Sequence, residues 1–262
     1  KLSKSVKSQN NKEVLLSISK GELRHYNFLK RHTGVDVPPD RLKIWWYLLV
    51  TRLLGITFGI KLMENGEESA QTAYRQFAEV VPGLERIAQD EDEHERALIG
   101  MIDEERLKYA GSIVLGLNDA LVELTGALAG FTFALQDSRL IAVVGMITGI
   151  AASLSMAASE YLSTKTESVD RNPAKAAFYT GFAYIITVLI LILPFIALEN
   201  VFLSLGVAVI GALMIIMGFT FYTSVVRETS FRERFLEMAA ISLGIAALSF
   251  LIGFFVREFI GI

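Results

Sequence analysis

The sequence predicts an all-α protein in two parts, a helical bundle over residues 1–109 and a five-span transmembrane helical domain over residues 110–262. The chain is 52% hydrophobic, yet 20% of its residues are charged. Most of the charge falls in the first part, whereas the second consists of long apolar runs separated by short polar segments. This segregation is expected when one part of a protein faces water and the other lies in lipid.

Five apolar segments are long enough to cross a bilayer, whose hydrocarbon core requires about 20 residues of helix. They are Gly111–Leu135, Leu140–Leu162, Ala176–Leu198, Phe202–Val225 and Phe235–Phe259. A bundle of buried soluble helices is the alternative, and five consecutive segments of this length disfavour it. We therefore expect an integral membrane protein that contacts the lipid bilayer.

The distribution of Lys and Arg predicts the orientation, because cytoplasmic loops carry an excess of these residues. With the first part in the cytoplasm, most of the basic residues near the span ends lie on that side. They are Arg106, Lys108, Lys165, Arg171, Lys175, Arg227, Arg232 and Arg234. Only Arg139 and Arg257 lie opposite. The sequence thus predicts a cytoplasmic N-terminal domain and a C-terminus outside.

Carboxylates inside the first two spans are the candidates for an ion path. Asp119 and Glu123 lie four residues apart in the first span, and Met156 and Glu160 lie four apart in the second. This spacing places each pair on one helix face. A carboxylate within the membrane normally faces water, protons or an ion, although Asp119 and Glu160 near a span end are also compatible with snorkelling to the interface. A thioether beside carboxylates suits Fe²⁺, Co²⁺ or Zn²⁺ better than Mg²⁺ or Ca²⁺.

The first part is predicted to contain three helices. They cover Asn11–Arg31, Asp40–Ala78 and Pro82–Tyr109, with breaks at Gly34 to Pro39 and at Val81 to Gly83. The apolar stretch Ile44–Ile60 contains two Trp residues but is interrupted by Arg52. It is expected to be bundle core or a helix resting on the membrane surface.

Two of these helices carry the same Glu-x-x-His pattern, Glu22 with His25 and Glu91 with His94. Supplied twice in a four-helix bundle, together with further Glu residues, this pattern binds a di-iron or di-manganese centre. Solvated charged faces are the alternative. Glu64 and Glu67 on the middle helix are the further candidate ligands, with Glu68 as a competitor. A four-helix site requires a fourth helix, whereas only three are predicted in the first part. The fourth helix either precedes Lys1, comes from a second subunit, or is absent.

Composition restricts the chemistry further. The chain has no cysteine, so a disulfide framework, a zinc-thiolate site and an iron–sulfur cluster are excluded. Any bound metal must use carboxylate, imidazole, thioether or backbone oxygen ligands. The net charge is −3 and there is no dense Lys/Arg run, so no nucleic acid is expected as a partner.

Two stretches of the second part resemble the vacuolar iron transporter family. Gly-Leu-Asn-Asp-Ala-Leu-Val at 116–122 and Ser-Met-Ala-Ala-Ser-Glu-Tyr at 155–161 are similar to its first-span and second-span signatures. The first part resembles the rubrerythrin branch of ferritin-like domains through its two Glu-x-x-His pairs. The whole chain therefore resembles the prokaryotic fusions of the two, called membrane-bound ferritins.

The resemblance implies a five-span fold, a homodimer in a prokaryotic plasma membrane, and export of Fe²⁺, sometimes Mn²⁺, from the cytosol in exchange for protons. It gives Asp119 and Met156 translocation-site roles, with Glu123 and Glu160 as helpers. Plant-type members carry a Glu- and Met-rich insert between the second and third spans. The segment 163–175 is far too short for that insert, so the N-terminal domain is expected to collect the metal instead.

Two functions remain open from the sequence. The first is a proton-coupled exporter of Fe²⁺ or Mn²⁺ with a cytosolic metal-delivery domain. The second is a membrane-anchored di-iron ferroxidase or peroxide-reducing enzyme in which the spans serve only as an anchor. Intramembrane acids speak against a mere anchor.

Overall fold

A computed structural model describes residues 9–77, 81–99, 109–167 and 171–260. Regular structure in these residues is helical, as the sequence predicts. The chain divides into two compact units, Lys1–Glu104 and Glu105–Ile262, called unit 1 and unit 2 below. The roles assigned to the two parts from the sequence remain proposals.

Unit 1 contains four helices within the described residues. They are α1 (Gln9–Thr33), α2 (Arg41–Leu54), α3 (Ile56–Phe77) and α4 (Leu84–Ile99). Helix α4 packs against both α1 and α3, and α3 packs against α2. These contacts place the two Glu-x-x-His helices, α1 and α4, side by side. They do not by themselves establish a ferritin-like bundle.

The prediction of one continuous middle helix is wrong, because the chain breaks at Gly55. Gly55 has φ 98° and ψ 162°, a backbone conformation that residues with a Cβ atom rarely adopt. Its N–H donates to the Thr51 carbonyl and ends α2. A Cβ atom at Gly59 would lie 2.0 Å from Thr51 Oγ1, so the first turn of α3 passes very close to α2.

The apolar stretch of unit 1 divides at this break into an exposed half and a buried half. Trp45 and Trp46 on α2 are 60% and 54% exposed. Phe58 and Ile60 on α3 are completely buried. The start of α3 is therefore core, whereas in α2 only Val50 and Thr51 are buried; a membrane-surface position for α2 stays a prediction.

Unit 2 contains the five helices that are long and apolar enough to cross a membrane. They are α5 (Ala110–Leu135), α6 (Ser138–Thr166), α7 (Pro173–Ala197), α8 (Val201–Arg227) and α9 (Phe231–Ile260). The five apolar segments predicted from the sequence correspond to these helices. Three of the helices begin after a capping side chain, Asp137, Asn172 or Asn200, whose oxygen accepts from backbone N–H groups of the first turn.

Helix α5 is central in unit 2 and contacts α6, α7, α8 and α9. The two Gly-x-x-x-Gly pairs, Gly126 with Gly130 and Gly145 with Gly149, predict that the first two spans are tightly paired, within a subunit or across a dimer. Within the single chain, Gly145 of α6 lies against the first span, where a Cβ atom would be 3.0 Å from Leu128 Cδ2, while the other three glycines face other helices. Gly126 and Gly130 of α5 pack against α9, where a Cβ atom at Gly253 would lie 2.3 Å from the Gly130 carbonyl oxygen. Gly149 of α6 packs against Val188 of α7. Small residues allow close approach, but their spacing does not specify the partner helix.

Candidate functional site

The two Glu-x-x-His pairs of unit 1 lie on facing sides of α1 and α4. Because i and i+3 share a helix face, each helix presents one carboxylate and one imidazole to the other. The side chains of His25 and Glu91 are buried, while those of His94 and Glu22 are partly exposed. One edge of the cluster is therefore accessible to solvent.

Each histidine contacts the glutamate of the opposite helix. His25 Nδ1 lies 3.0 Å from Glu91 Oε1, and His94 Nδ1 lies 3.2 Å from Glu22 Oε1. Within each pattern the contacts are longer, at 4.0 Å from His25 Nδ1 to Glu22 Oε2 and 3.6 Å from His94 Nδ1 to Glu91 Oε2. The cluster thus depends on the packing of the two helices.

These four side chains form a candidate metal centre. One ligand atom from each lies within 4.8 Å of all the others. Carboxylate and imidazole together suit Fe²⁺, Mn²⁺ and Zn²⁺. The predicted further ligands Glu64 and Glu67, with their competitor Glu68, have side chains outside the described residues.

Asp90 belongs to the same site and escapes detection in the sequence. Its Oδ2 lies 3.1 Å from His25 Nε2. When Nδ1 binds a metal ion, the proton of the neutral ring is on Nε2, which is placed to donate it to Asp90. A carboxylate in this position orients a metal-binding imidazole and raises its basicity. Nothing distinguishes Asp90 from its acidic neighbours at 91–93 in the sequence.

Gly21 provides the space that the His94 ring occupies. A Cβ atom at this position would lie 2.5 Å from both Cε1 and Nε2 of His94. Contacts this short force a displacement of the ring, so residue 21 must lack a side chain if the imidazole is to keep its place. Its position directly before Glu22 is the only signal in the sequence.

Burial and the neighbouring Glu91 carboxylate raise the pKa of Glu22 above its ordinary value, in opposition to the two imidazoles, which lower it. Two carboxylates held close together disfavour the doubly charged state. A divalent cation supplies the missing positive charge. The electrostatics of the cluster therefore favour cation binding.

In unit 2, the Glu160 carboxylate is buried at one end of α6. Its Oε1 accepts a 2.6 Å hydrogen bond from Ser112 Oγ of α5, and Thr164 Oγ1 lies 3.5 Å away. This group does not snorkel to the surface, because it is directed at the neighbouring helix. Ser112 and Thr164 were not predicted, since hydroxyl residues at span ends are common.

Glu123 lies near the middle of α5 and is exposed on the surface of the single chain. Its Oε2 accepts a 2.8 Å hydrogen bond from the hydroxyl of Tyr184, a fully buried residue of α7. Asp119, one turn away on α5, is partly buried. A tyrosine in the middle of a span is a signal that sequence analysis could have used, since tyrosine usually lies at membrane interfaces and a buried hydroxyl needs a partner.

Met156 is partly buried and packs against the hydrophobic core of unit 2. Among the described residues, a cluster of potential metal ligands like that of unit 1 does not occur among the acidic side chains of unit 2. Asp119, Glu123, Met156 and Glu160 keep their predicted translocation roles as proposals.

A family model matches part of the chain. The model of the VIT family matches residues 110–170, which cover α5 and α6 and include Asp119, Glu123, Met156 and Glu160. The matched region contains none of the unit 1 ligands. No curated protein matches the chain. The matched region supports the vacuolar iron transporter family for this part of the chain, and with five apolar helices it indicates an integral membrane protein that transports a metal such as iron or manganese.

Proposed function

We propose that the protein exports Fe²⁺ or Mn²⁺ from the cytosol across a prokaryotic plasma membrane in exchange for protons. The observation that carries this proposal is the set of carboxylates inside the membrane helices of the matched region, above all Asp119 and Glu123 on one face of α5. An ionised carboxylate at mid-membrane costs about 3 kcal/mol. Such a cost is expected where the group serves a permeating cation.

Proton exchange follows from the chemistry of the ligands. A carboxylate binds either a metal ion or a proton, so metal binding releases protons and protonation releases metal. Asp119 and Met156 are proposed as the translocation site, with Glu123 and Glu160 as helpers. The hydrogen bond from Tyr184 to Glu123 supports a defined orientation for that carboxylate.

A homodimer is part of the proposal. Glu123 is exposed in the middle of an apolar helix, and exposure of a carboxylate to lipid is unfavourable. A second copy placed against this face would cover it and would bring a second set of carboxylates. Cross-linking of single cysteines near residue 123 in the otherwise cysteine-free chain tests this arrangement directly.

We further propose that unit 1 lies in the cytoplasm and delivers metal to unit 2. The four-ligand cluster of α1 and α4 supports metal binding, and the predicted excess of Lys and Arg on that side supports the orientation. A ferritin-like bundle completed by Glu64 or Glu67 is the proposed form of this domain.

Transport into liposomes tests the main proposal. Full-length protein is reconstituted in vesicles that contain an Fe²⁺-sensitive dye and a pH indicator. The wild type should give metal flux with opposite proton flux, and Asp119→Ala should abolish both. Glu199→Gln, at an exposed position between α7 and α8, is the matched control. Flux unchanged by Asp119→Ala rejects the assigned path.

A membrane-anchored ferroxidase or peroxide-reducing enzyme is the second candidate. The observation that favours it is the pairing of two carboxylates with two imidazoles in unit 1, a ligand set that also accommodates Fe³⁺. Oxidation of Fe²⁺ by O₂ or peroxide that is lost in His94→Ala, with no flux in the liposome assay, would establish this function instead.

A further inference from the structure

A cavity of about 310 Å³ lies among α5, α8 and α9, next to the turn that joins α8 to α9. None of the proposed translocation residues lines it. Asn118 of α5 and Thr220 of α8 contribute to its lining from within the helices. Arg227, Thr229, Arg234 and Glu237 contribute from the ends of α8 and α9 and are exposed.

The buried part of the cavity contains polar groups without partners. Thr220 is 2% exposed, and its Oγ1 has no hydrogen-bond partner among the described residues. The Oδ1 atom of Asn118 is also buried and has no hydrogen-bond partner among these residues. Buried polar atoms are nearly always satisfied, so these two groups indicate that a polar ligand completes the site. The Asn118 amide can turn either its oxygen or its NH₂ group toward that ligand.

The charged side chains at the opening of the cavity determine whether it favours an anion or a cation. Arg234 lies 3.3 Å from Glu237, at Nη1 to Oε2. Arg227 makes no ion pair within the part of the chain that the structure describes. The three side chains together carry one net positive charge. A metal cation is unfavourable beside two guanidinium groups, whereas an anion with several acceptor oxygens is favourable.

We propose that this cavity binds a phosphate group, held by the guanidinium groups of Arg227 and Arg234 and by the hydroxyl groups of Thr220 and Thr229. Arginine binds phosphate oxygens through two parallel N–H donors. The phosphate comes either from an anionic phospholipid headgroup or from a free phosphate compound. The proposal does not rest on the transport function proposed above.

The location favours a lipid as the source. The cavity lies at the ends of two membrane helices, on the side that the predicted orientation assigns to the cytoplasm. The cytoplasmic leaflet carries anionic lipids, and basic pockets between spans on that side bind their headgroups. Large apolar side chains of α8 and α9, including Phe221 and Leu236, are exposed nearby and offer contacts to acyl chains.

Native mass spectrometry of the full-length protein in detergent tests the proposal. One arm titrates dioleoylphosphatidylglycerol against dioleoylphosphatidylcholine, and the other titrates inorganic phosphate. Arg227→Gln, Arg234→Gln and Thr220→Val remove one ligand group each. Arg232→Gln is the matched control, because Arg232 is an exposed residue of the first turn of α9 that does not line the cavity.

A preference for phosphatidylglycerol that each cavity variant reduces about tenfold, and that Arg232→Gln leaves unchanged, supports the lipid form of the proposal. Phosphate binding with the same dependence on the variants supports the free-phosphate form. Thr220→Val separates a specific site from general charge attraction, since it changes no charge. The proposal is overturned if Arg227→Gln and Arg234→Gln affect both probes no more than Arg232→Gln does, or if Thr220→Val affects neither.

Discussion

The imidazole of His25 and the carboxylate of Glu91 lie 3.0 Å apart although 66 residues separate them in the chain. The two groups belong to different helices, and each belongs to a Glu-x-x-His pattern. Their contact converts two local patterns into one cluster of four ligands. Three of the following predictions test this cluster.

Asp90→Asn should weaken metal binding about 10- to 100-fold, because the carboxylate that accepts the proton of His25 Nε2 orients the imidazole. The fold of unit 1 should be retained, since the substitution is isosteric. Mn²⁺ affinity measured by isothermal titration calorimetry on the full-length protein checks this. Glu93→Gln, at an exposed position of α4, is the control; equal losses in both variants would show a general charge effect.

Gly21→Ala should lower metal affinity without removing any ligand. The added methyl group would lie 2.5 Å from the His94 ring and displace it from Glu22. We expect about a tenfold loss, comparable to the loss of an orienting group. The electron paramagnetic resonance spectrum of bound Mn²⁺ should change as well. Ser19→Ala, an exposed substitution on the same helix, should leave both measurements unchanged.

Metal affinity at the unit 1 cluster should fall as the pH is lowered. Metal binding requires the deprotonated carboxylates, and burial with the Glu91 charge raises the pKa of Glu22. Without metal, the folded state therefore keeps the Glu22 proton more strongly than the unfolded state does. This contribution to the stability of the metal-free protein is complete below the ordinary pKa of Glu and is lost as the pH rises through the raised pKa. Over the same pH range, bound metal stabilises the folded protein more and more.

The measurement is the rise in melting temperature caused by Mn²⁺ at several pH values between about 5 and about 7.5, around the ordinary pKa values of carboxylates and imidazoles. Glu22→Gln removes the titrating group, so its metal-induced shift should be smaller and should depend less on pH. A shift that grows toward low pH contradicts this account.

Ser112→Ala should destabilise unit 2 by about 1–3 kcal/mol, because the buried Glu160 oxygen loses its 2.6 Å hydrogen bond. Thermal unfolding in detergent, followed by circular dichroism, checks the effect. Ser163→Ala on the exposed surface of the same pair of helices should change stability by no more than about 0.5 kcal/mol. Equal stability of the two variants would mean that the Ser112–Glu160 contact contributes nothing.

Local sequence features predicted the elements of the fold well. The five spans follow from the length of the apolar runs, since a bilayer demands about 20 apolar residues per helix. The middle helix of unit 1 was predicted without its break, because a single glycine within a helical pattern is often tolerated. Only the conformation of Gly55 in the folded chain reveals that α2 and α3 are separate.

The sequence by itself determined which groups are available for chemistry: two Glu-x-x-His pairs, four polar or thioether groups in two spans, and no thiol. The tertiary structure decided how they are grouped. It joined the two pairs through the packing of α1 on α4, added Asp90 to His25 and buried Glu160 against Ser112. It left Glu123 on the outer face, where the carboxylate accepts a hydrogen bond from the buried Tyr184. The spacing along one helix specifies a shared face, whereas the side chains that meet that face are set by packing between residues far apart in the chain.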